Sequence, residues 1–288
     1  MADSTLSNMA GPISGTGVGL RHCHIQDVLF NNPDIPWFEI LTDNHLEPGG
    51  PVKHALQTIR QDYVFSFHCV GMSLGGVDPL EINYLKQIKQ LGEELDPIFV
   101  SDHLSFSTLN GQHYNELLPL PYTEDSLKHI CDRILQVQDI LNRQILIENP
   151  SSYLSYQHST LDEWDFMNEL AKQADCHVLL DVNNIYVSAC NHGFDSNKYL
   201  SNIDFSRVKE IHLGGYEDRG HYLLDAHNHP ISDEVWELFK TTIGQAPEIP
   251  CLIEWDNDIP ALEVLQQQAS IAEDIRQNTM QEALLESA

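Results

Sequence analysis

Basic residues are what this sequence is short of. Fifteen Lys and Arg stand against 43 Asp and Glu, a formal net charge of −28 over 288 residues. Phosphate backbones are gripped by Lys/Arg patches, so nucleic acid is excluded as a general partner. The same charge argues against an anionic membrane surface. Long apolar runs are also missing: no stretch approaches the ~18 residues of a membrane span. Met1 to Thr16 holds no Lys or Arg, so the basic start of a secretory signal is lacking and a cytoplasmic location is expected. Cysteine is sparse. Six occur (Cys23, Cys69, Cys131, Cys176, Cys190, Cys251), none in a C-x-x-C pair, which predicts reduced thiols. No internal repeat or low-complexity tract is present.

What the chain does have is a core and histidine. Hydrophobic residues make up 42%, enough to rule out wholesale disorder. Eight short, continuous apolar runs read as buried parallel strands: Gly17–Leu20, Trp37–Ile40, Val64–Phe67, Ile98–Ser101, Ile145–Ile147, His177–Leu180, Val208–Ile211 and Cys251–Ile253. Helix-like segments lie between them. Leu127, Ile130, Ile134, Val137 and Leu141 share one helical face, with Thr123 as N-cap. Thr160 with Glu163 predicts a capping box, Ser232 opens a further helix, and 81–95 and 262–276 supply two more. Eight strands alternating with helices predict an α/β fold, a single (β/α)8 TIM-type barrel over 17–278. Residues 1–16 are expected as a disordered tail and 279–288 as a frayed helical tail. A doubly wound sheet is the competitor, but its dinucleotide turn is incomplete: after Gly17 and Gly19, the third glycine position is His22. The long connection 104–122 is expected to be a functional loop.

The polar residues at the strand ends carry the chemistry. His68, His103, Glu148, Asp181, His212 and Glu254 follow six successive strands at spacings of 35, 45, 33, 31 and 42 residues, about one βα unit each. In a barrel all converge on the C-terminal mouth. One buried His is an ordinary hydrogen-bonded core residue, but six acids and imidazoles in register predict a metal site, since such groups are costly to bury unpaired. Imidazole plus carboxylate suits Zn, Fe or Mn. With Asp225, His227 and neighbouring Asn side chains the donors outnumber what one ion takes, so two or three ions are expected, with Glu148 as the natural bridge.

These residues sit in motifs that resemble the multinuclear non-haem iron-dependent oxidases: Phe67-His-Cys-Val-Gly-Met-Ser-Leu74, Asp102-His-Leu-Ser-Phe106, Leu117-Leu-Pro-Leu-Pro-Tyr122, Glu148-Asn-Pro-Ser-Ser-Tyr153, Leu180-Asp-Val-Asn-Asn-Ile-Tyr-Val-Ser-Ala189, Asn191-His-Gly-Phe194, Glu210-Ile-His-Leu213 and Ile253-Glu-Trp-Asp256. The resemblance runs from about Gly17 to Ile275. It implies a xylose-isomerase-like barrel holding two or three iron ions (Fe2+/Fe3+), with zinc or manganese as alternatives in purified protein. It also implies O2 as co-substrate, a Cys-containing ribosomally made precursor peptide as substrate, and a partner protein that presents the peptide. Carried over by position, it makes His68, His103, Glu148, Asp181, Asn184, His212, Asp225, His227 and Glu254 the metal ligands. The apurinic endonucleases, a related branch, have His where this chain has Asn184, and that difference favours the oxidases.

The alternative is a metal-dependent hydrolase or isomerase on the same barrel with two or three Zn or Mn ions. A hydrolase acting on nucleic acid would need a basic face, and an isomerase a Lys at a strand end; neither is seen. Around the ligands, Asp102, Asn149, Asn183 and Asp256 are expected to orient them. His192, Arg21 and His22 are candidates for an outer contact with the ligands or for substrate binding at the rim. Glu39, within the second strand, is divided between an outer contact and a structural role. Cys69 should point away from His68 into the core.

Overall fold

A computed structural model describes residues 13–286. The elements run β1 Thr16–Gly19, α1 Ile25–Asn31, β2 Trp37–Leu41, α2 Gly50–Ile59, β3 Val64–His68, α3 Ile82–Leu95 and β4 Val100–His103. A hairpin follows, β5 Phe106–Leu109 and β6 Gln112–Leu118, then α4 Glu124–Leu141, β7 Leu146–Glu148, α5 Glu163–Gln173, β8 His177–Asp181, α6 Val182–His192 and α7 Ser196–Asn202. The chain closes with β9 Val208–Leu213, the short pair β10 Glu217–Asp218 and β11 Leu223–Leu224, α8 Asp233–Gln245, β12 Cys251–Ile253 and α9 Leu262–Glu286.

All eight expected strands pair in parallel as a closed barrel, in the order β1-β12-β9-β8-β7-β4-β3-β2. Closure settles the choice against an open doubly wound sheet. The strands read as apolar runs because both faces are covered. Alternate residues such as Phe38, Ile40, Phe65 and Phe67 are fully buried in the main core, which includes Leu85 and Ile88 of α3. At the N-terminal end the lumen is plugged by Ile13, Trp37 and Leu252. Gly17 is required there: a Cβ would lie 2.5 Å from the Trp37 ring.

Several helix starts follow the sequence. Thr123 caps α4 by accepting the Ser126 N–H, and Ser232 caps α8 by accepting that of Val235. Three expectations are corrected. The connection 104–122 carries the β5–β6 hairpin instead of being all loop, held by Ser73 Oγ, which accepts the Ser107 and Thr108 N–H groups, and by Asp78, whose carboxylate takes those of Asn110 and Gly111. The Thr160/Glu163 capping box does not form. Asp162 is the N-cap of α5, and the Glu163 carboxylate instead accepts the Tyr122 and Tyr199 hydroxyls at 2.9 and 3.0 Å. Of the expected N-terminal tail, residues 1–12 lie outside the described residues, while Ile13 is buried and Thr16 opens β1. At the other end α9 carries helix through residues 279–286, where a helical tail was expected.

Candidate metal centre

His68, His103, Glu148 and Asp181 are the last residues of β3, β4, β7 and β8, so strand register alone delivers them to one rim. Pairing sets His103 beside Glu148 and Asp181 beside His212. A one-residue slip would turn each to the opposite face.

The first cluster is His68, His103 and Glu148. Both imidazole Nε2 atoms lie 3.2 Å from Glu148 Oε2 and 3.3 Å from each other. Ser101 Oγ donates to the Phe67 carbonyl, so it accepts from His68 Nδ1–H at 2.8 Å. The His68 proton is therefore on Nδ1, and its Nε2 lone pair faces Glu148 and His103. Glu148 Oε2 has no hydrogen bond. A lone pair aimed at a bare carboxylate oxygen is repulsive without a cation between them.

The second cluster is Glu148, Asp181, His212 and Glu254, each offering a donor within 4.8 Å of the others. Asp181 has two roles. Its Oδ1 caps α6 by accepting the Asn184 N–H at 2.6 Å, which leaves Oδ2 buried without a partner. That cap places Asn184 one turn above Asp181. Its amide donates to the Asn149 carbonyl at 3.1 Å and to Glu148 Oε1 at 3.3 Å, while its Oδ1 is bare. His212 Nδ1 lies 3.0 Å from Glu254 Oε2.

The third cluster joins His227, from the loop after β11, to Glu254 and Asp256, which directly follow β12. His227 Nδ1 is 3.0 Å from Asp256 Oδ2. Its Nε2 is 2.7 Å from Asp225 Oδ1 yet makes no hydrogen bond, so the two atoms meet off the N–H axis. His227 holds a left-handed backbone, φ 43°, a conformation concentrated at functional sites. Gly214, just after β9, makes room for it, because a Cβ there would overlap the imidazole.

Burial dominates the electrostatics. It raises Glu148 to about 7 and pushes Asp181 well above its usual range, with Glu148 adding to the rise. Burial, then the neighbouring His103 and His212, hold His68 well below the ordinary imidazole value. For His103 the carboxylates of Glu148 and Asp102 outweigh burial and raise it to about 9. His212 and His227 are raised against burial by Glu39 and Glu254, and by Asp225 and Glu254, respectively.

The surrounding residues fall in several places. Asp102 accepts the Met72 N–H at 2.9 Å and the His103 N–H at 2.6 Å, and its Oδ1 lies 3.7 Å from His103 Nδ1, an ion-pair contact beyond hydrogen-bond length. Asn149 ties β7 to Asp181 through both backbone groups of Asp181. Asn183 donates to Asp225 Oδ1 at 2.8 Å. Asp256 bridges His227 to Arg21, whose Nη2 is 2.5 Å from Asp256 Oδ1. Arg21 is buried behind Asp256, an outer contact to His227, and His22 is exposed, outside the cavity lining. His192 is not at the mouth; it bonds Ser152 Oγ at 2.7 Å and lines a separate crevice. Cys69 is buried in the core, as its strand parity predicts. Sequence reasoning missed Glu210 and Ser101. The available signal was a polar residue inside an apolar strand two positions before or after an inward-facing residue.

The donors line a cavity of about 380 Å3, walled on one side by Val70 and Asn115–Leu117 of the hairpin and on another by Tyr153, Leu224 and Asn257. Residues 15–277 match the family model described as RiPP precursor modification enzyme MbnB/TglH/ChrH. The chain belongs to that family. It is the family to which the strand-end motifs pointed.

A UPF0276 protein of Acaryochloris marina is 48% identical over 91% of this chain and 94% of its own length. A UPF0276 protein of Vibrio parahaemolyticus is 47% identical over 89% and 90%. Among solved structures, L-ribulose 3-epimerase superposes with a TM-score of 0.61 at 11% identity, covering 96% of this chain and 95% of that one. D-psicose 3-epimerase from Clostridium cellulolyticum H10 gives 0.59 at 8%, covering 94% and 98%. At those identities the likeness establishes the barrel fold and nothing about chemistry. No described helix is long and apolar enough to cross a membrane.

Proposed function

We propose that this enzyme is a multinuclear iron-dependent oxidase that uses O2 to modify cysteine residues of a ribosomally made precursor peptide. His68, His103, Glu148, Asp181, Asn184, His212, Asp225, His227 and Glu254 would hold two or three iron ions, with Glu148 shared between clusters. The observation that carries this is the set of buried donors left bare at one mouth: Glu148 Oε2, Asp181 Oδ2, Asn184 Oδ1 and His227 Nε2. Native proteins satisfy buried polar groups, and a set of bare donors drawn from imidazole, carboxylate and amide oxygen fits hard or borderline cations. Iron bound there supplies activation of O2 and a Lewis acid for the substrate thiolate.

The chain's own residues do the rest. Leu41, Val70, Leu117 and Leu224 give the cavity apolar wall beside its donors, which excludes water from a bound cysteine side chain. Ser101 holds His68 in one tautomer, and Asn183 and Asp256 hold the Asp225–His227 arm. The cavity is open enough to admit a peptide side chain, and a partner protein presenting the peptide would dock over it. Six free thiols fit a reducing cytoplasm.

The test is metal analysis of protein made under iron-replete conditions, followed by O2 uptake with a cysteine-containing peptide. Two or three irons per chain and peptide-dependent O2 uptake are expected. Stoichiometric zinc with almost no iron, or full turnover without O2 or another oxidant, overturns the reading in favour of a hydrolase.

A further inference from the structure

Below the mouth the barrel lumen holds two carboxylates that none of the three mouth clusters needs. Glu39 of β2 and Glu210 of β9 are both fully buried, where a TIM-type barrel normally packs Val, Ile and Leu. Their strands are not neighbours: β12 and β1 stand between them on the shorter way round the barrel. The contact is therefore made across the lumen. Glu39 Oε2 lies 3.1 Å from His212 Nε2. Glu210 Oε1 is 3.9 Å from the same nitrogen, beyond a hydrogen bond, and the other Glu210 oxygen accepts from Ser66 Oγ at 2.9 Å.

We propose that Glu39 is a positioning residue that fixes the tautomer of His212 and so aims its Nδ1 lone pair at the metal centre. A neutral imidazole has one N–H and one lone pair. His212 Nδ1 faces Glu254, Asp181 and Glu148, the second cluster, and can serve a cation only as a lone pair. The proton must then sit on Nε2, and Glu39 is the acceptor at hydrogen-bond distance. Ser101 does the mirror-image job for His68: it holds the proton on Nδ1 and turns Nε2 to the mouth. The two imidazoles thus present opposite nitrogens, each set by a residue deeper in the barrel. Their ring centroids lie 5.3 Å apart in an edge contact.

This inference rests on the proposed metal centre. The probe is zinc, a redox-inert stand-in, titrated into metal-free wild type, Glu39→Gln, Glu39→Ala and Ser66→Ala. Affinity is read by competition with a chelator, and the tautomer by 15N–1H correlation of 15N-histidine-labelled, zinc-loaded protein. Wild type should show one imidazole metallated through Nδ1 and protonated at Nε2. Glu39→Ala should weaken the zinc held by His212 by about 10–100-fold, the usual cost of losing such a partner, and should lose or shift that Nε2–H signal. Glu39→Gln, which keeps an acceptor oxygen, should restore the signal and most of the affinity. Ser66→Ala should change neither. If Glu39→Ala fails to fold, Glu39→Leu, apolar like a usual lumen residue, takes its place in the same titration. Wild-type affinity and an unchanged 15N pattern in the Ala or Leu variant overturn the inference while leaving the metal reading intact. A wild-type chain that takes up no zinc or iron overturns both.

Discussion

Two buried glutamates separate what burial does from what a site does. Glu148 at the mouth and Glu163 at the start of α5 are both raised by burial to about 7. By titration alone they are indistinguishable. Their surroundings differ. Glu163 has a donor for each oxygen, Tyr122 and Tyr199, and is a finished structural contact. Glu148 has one oxygen without a hydrogen bond and two imidazole nitrogens 3.2 Å away. A perturbed carboxylate is therefore weak evidence of function. An unsatisfied one, facing an imidazole lone pair, is stronger.

The comparison can be broken most sharply at Glu148. Glu148→Gln should lose at least one metal ion per chain and essentially all turnover, since a ligand shared by two clusters should matter more than the ~10–100-fold of an outer partner. Elemental analysis checks this, and a full metal complement in Glu148→Gln would put Glu148 on the same footing as Glu163. Glu163→Gln should do the reverse. It should keep every metal ion and lose about 1–3 kcal/mol of stability, because one tyrosine hydroxyl is left facing an amide it cannot satisfy as well. Denaturant unfolding measures that loss.

The smallest effect is in pH dependence. Unfolded, these glutamates release their protons near 4.5; folded, Glu148, Glu39 and Glu163 hold theirs to about 7. The folded state thus binds more protons between those values, and stability falls as pH rises through that window. His103 acts in the same sense up to about 9, its stabilisation present below 6.5 and lost above 9. Thermal midpoints of metal-free protein should therefore drop from pH 5 to pH 9. Zinc loading should flatten the slope, since a cation keeps the Glu148 cluster ionised at all these values and leaves Glu163 and Glu39 as the main remaining contributors. An unchanged slope on loading would mean that Glu148 behaves as Glu163 does.

The one-dimensional pattern was enough for the barrel. Parallel strands covered on both faces are apolar throughout, and the eight runs from Gly17 to Ile253 were legible for that reason. It was also enough for the strand-end donors, because repeating βα units bring each strand's C-terminal end to one rim. The hairpin was not legible, since Gln112–Leu118 pairs only with a four-residue partner and is mostly exposed, so it has no apolar face to read. Nor was the fate of Glu163, where a helix-start pattern was overruled by two tyrosines brought in from α7 and the loop before α4.

The sequence by itself determined which residues reach the mouth, because strand parity and unit length are local properties. Only the tertiary structure decided which atoms of those residues face one another. The bare Glu148 oxygen, the opposed tautomers of His68 and His212, and the passage of Glu39 across the lumen depend on contacts between strands that are distant along the chain, and on the closure that brings β2 within reach of β9.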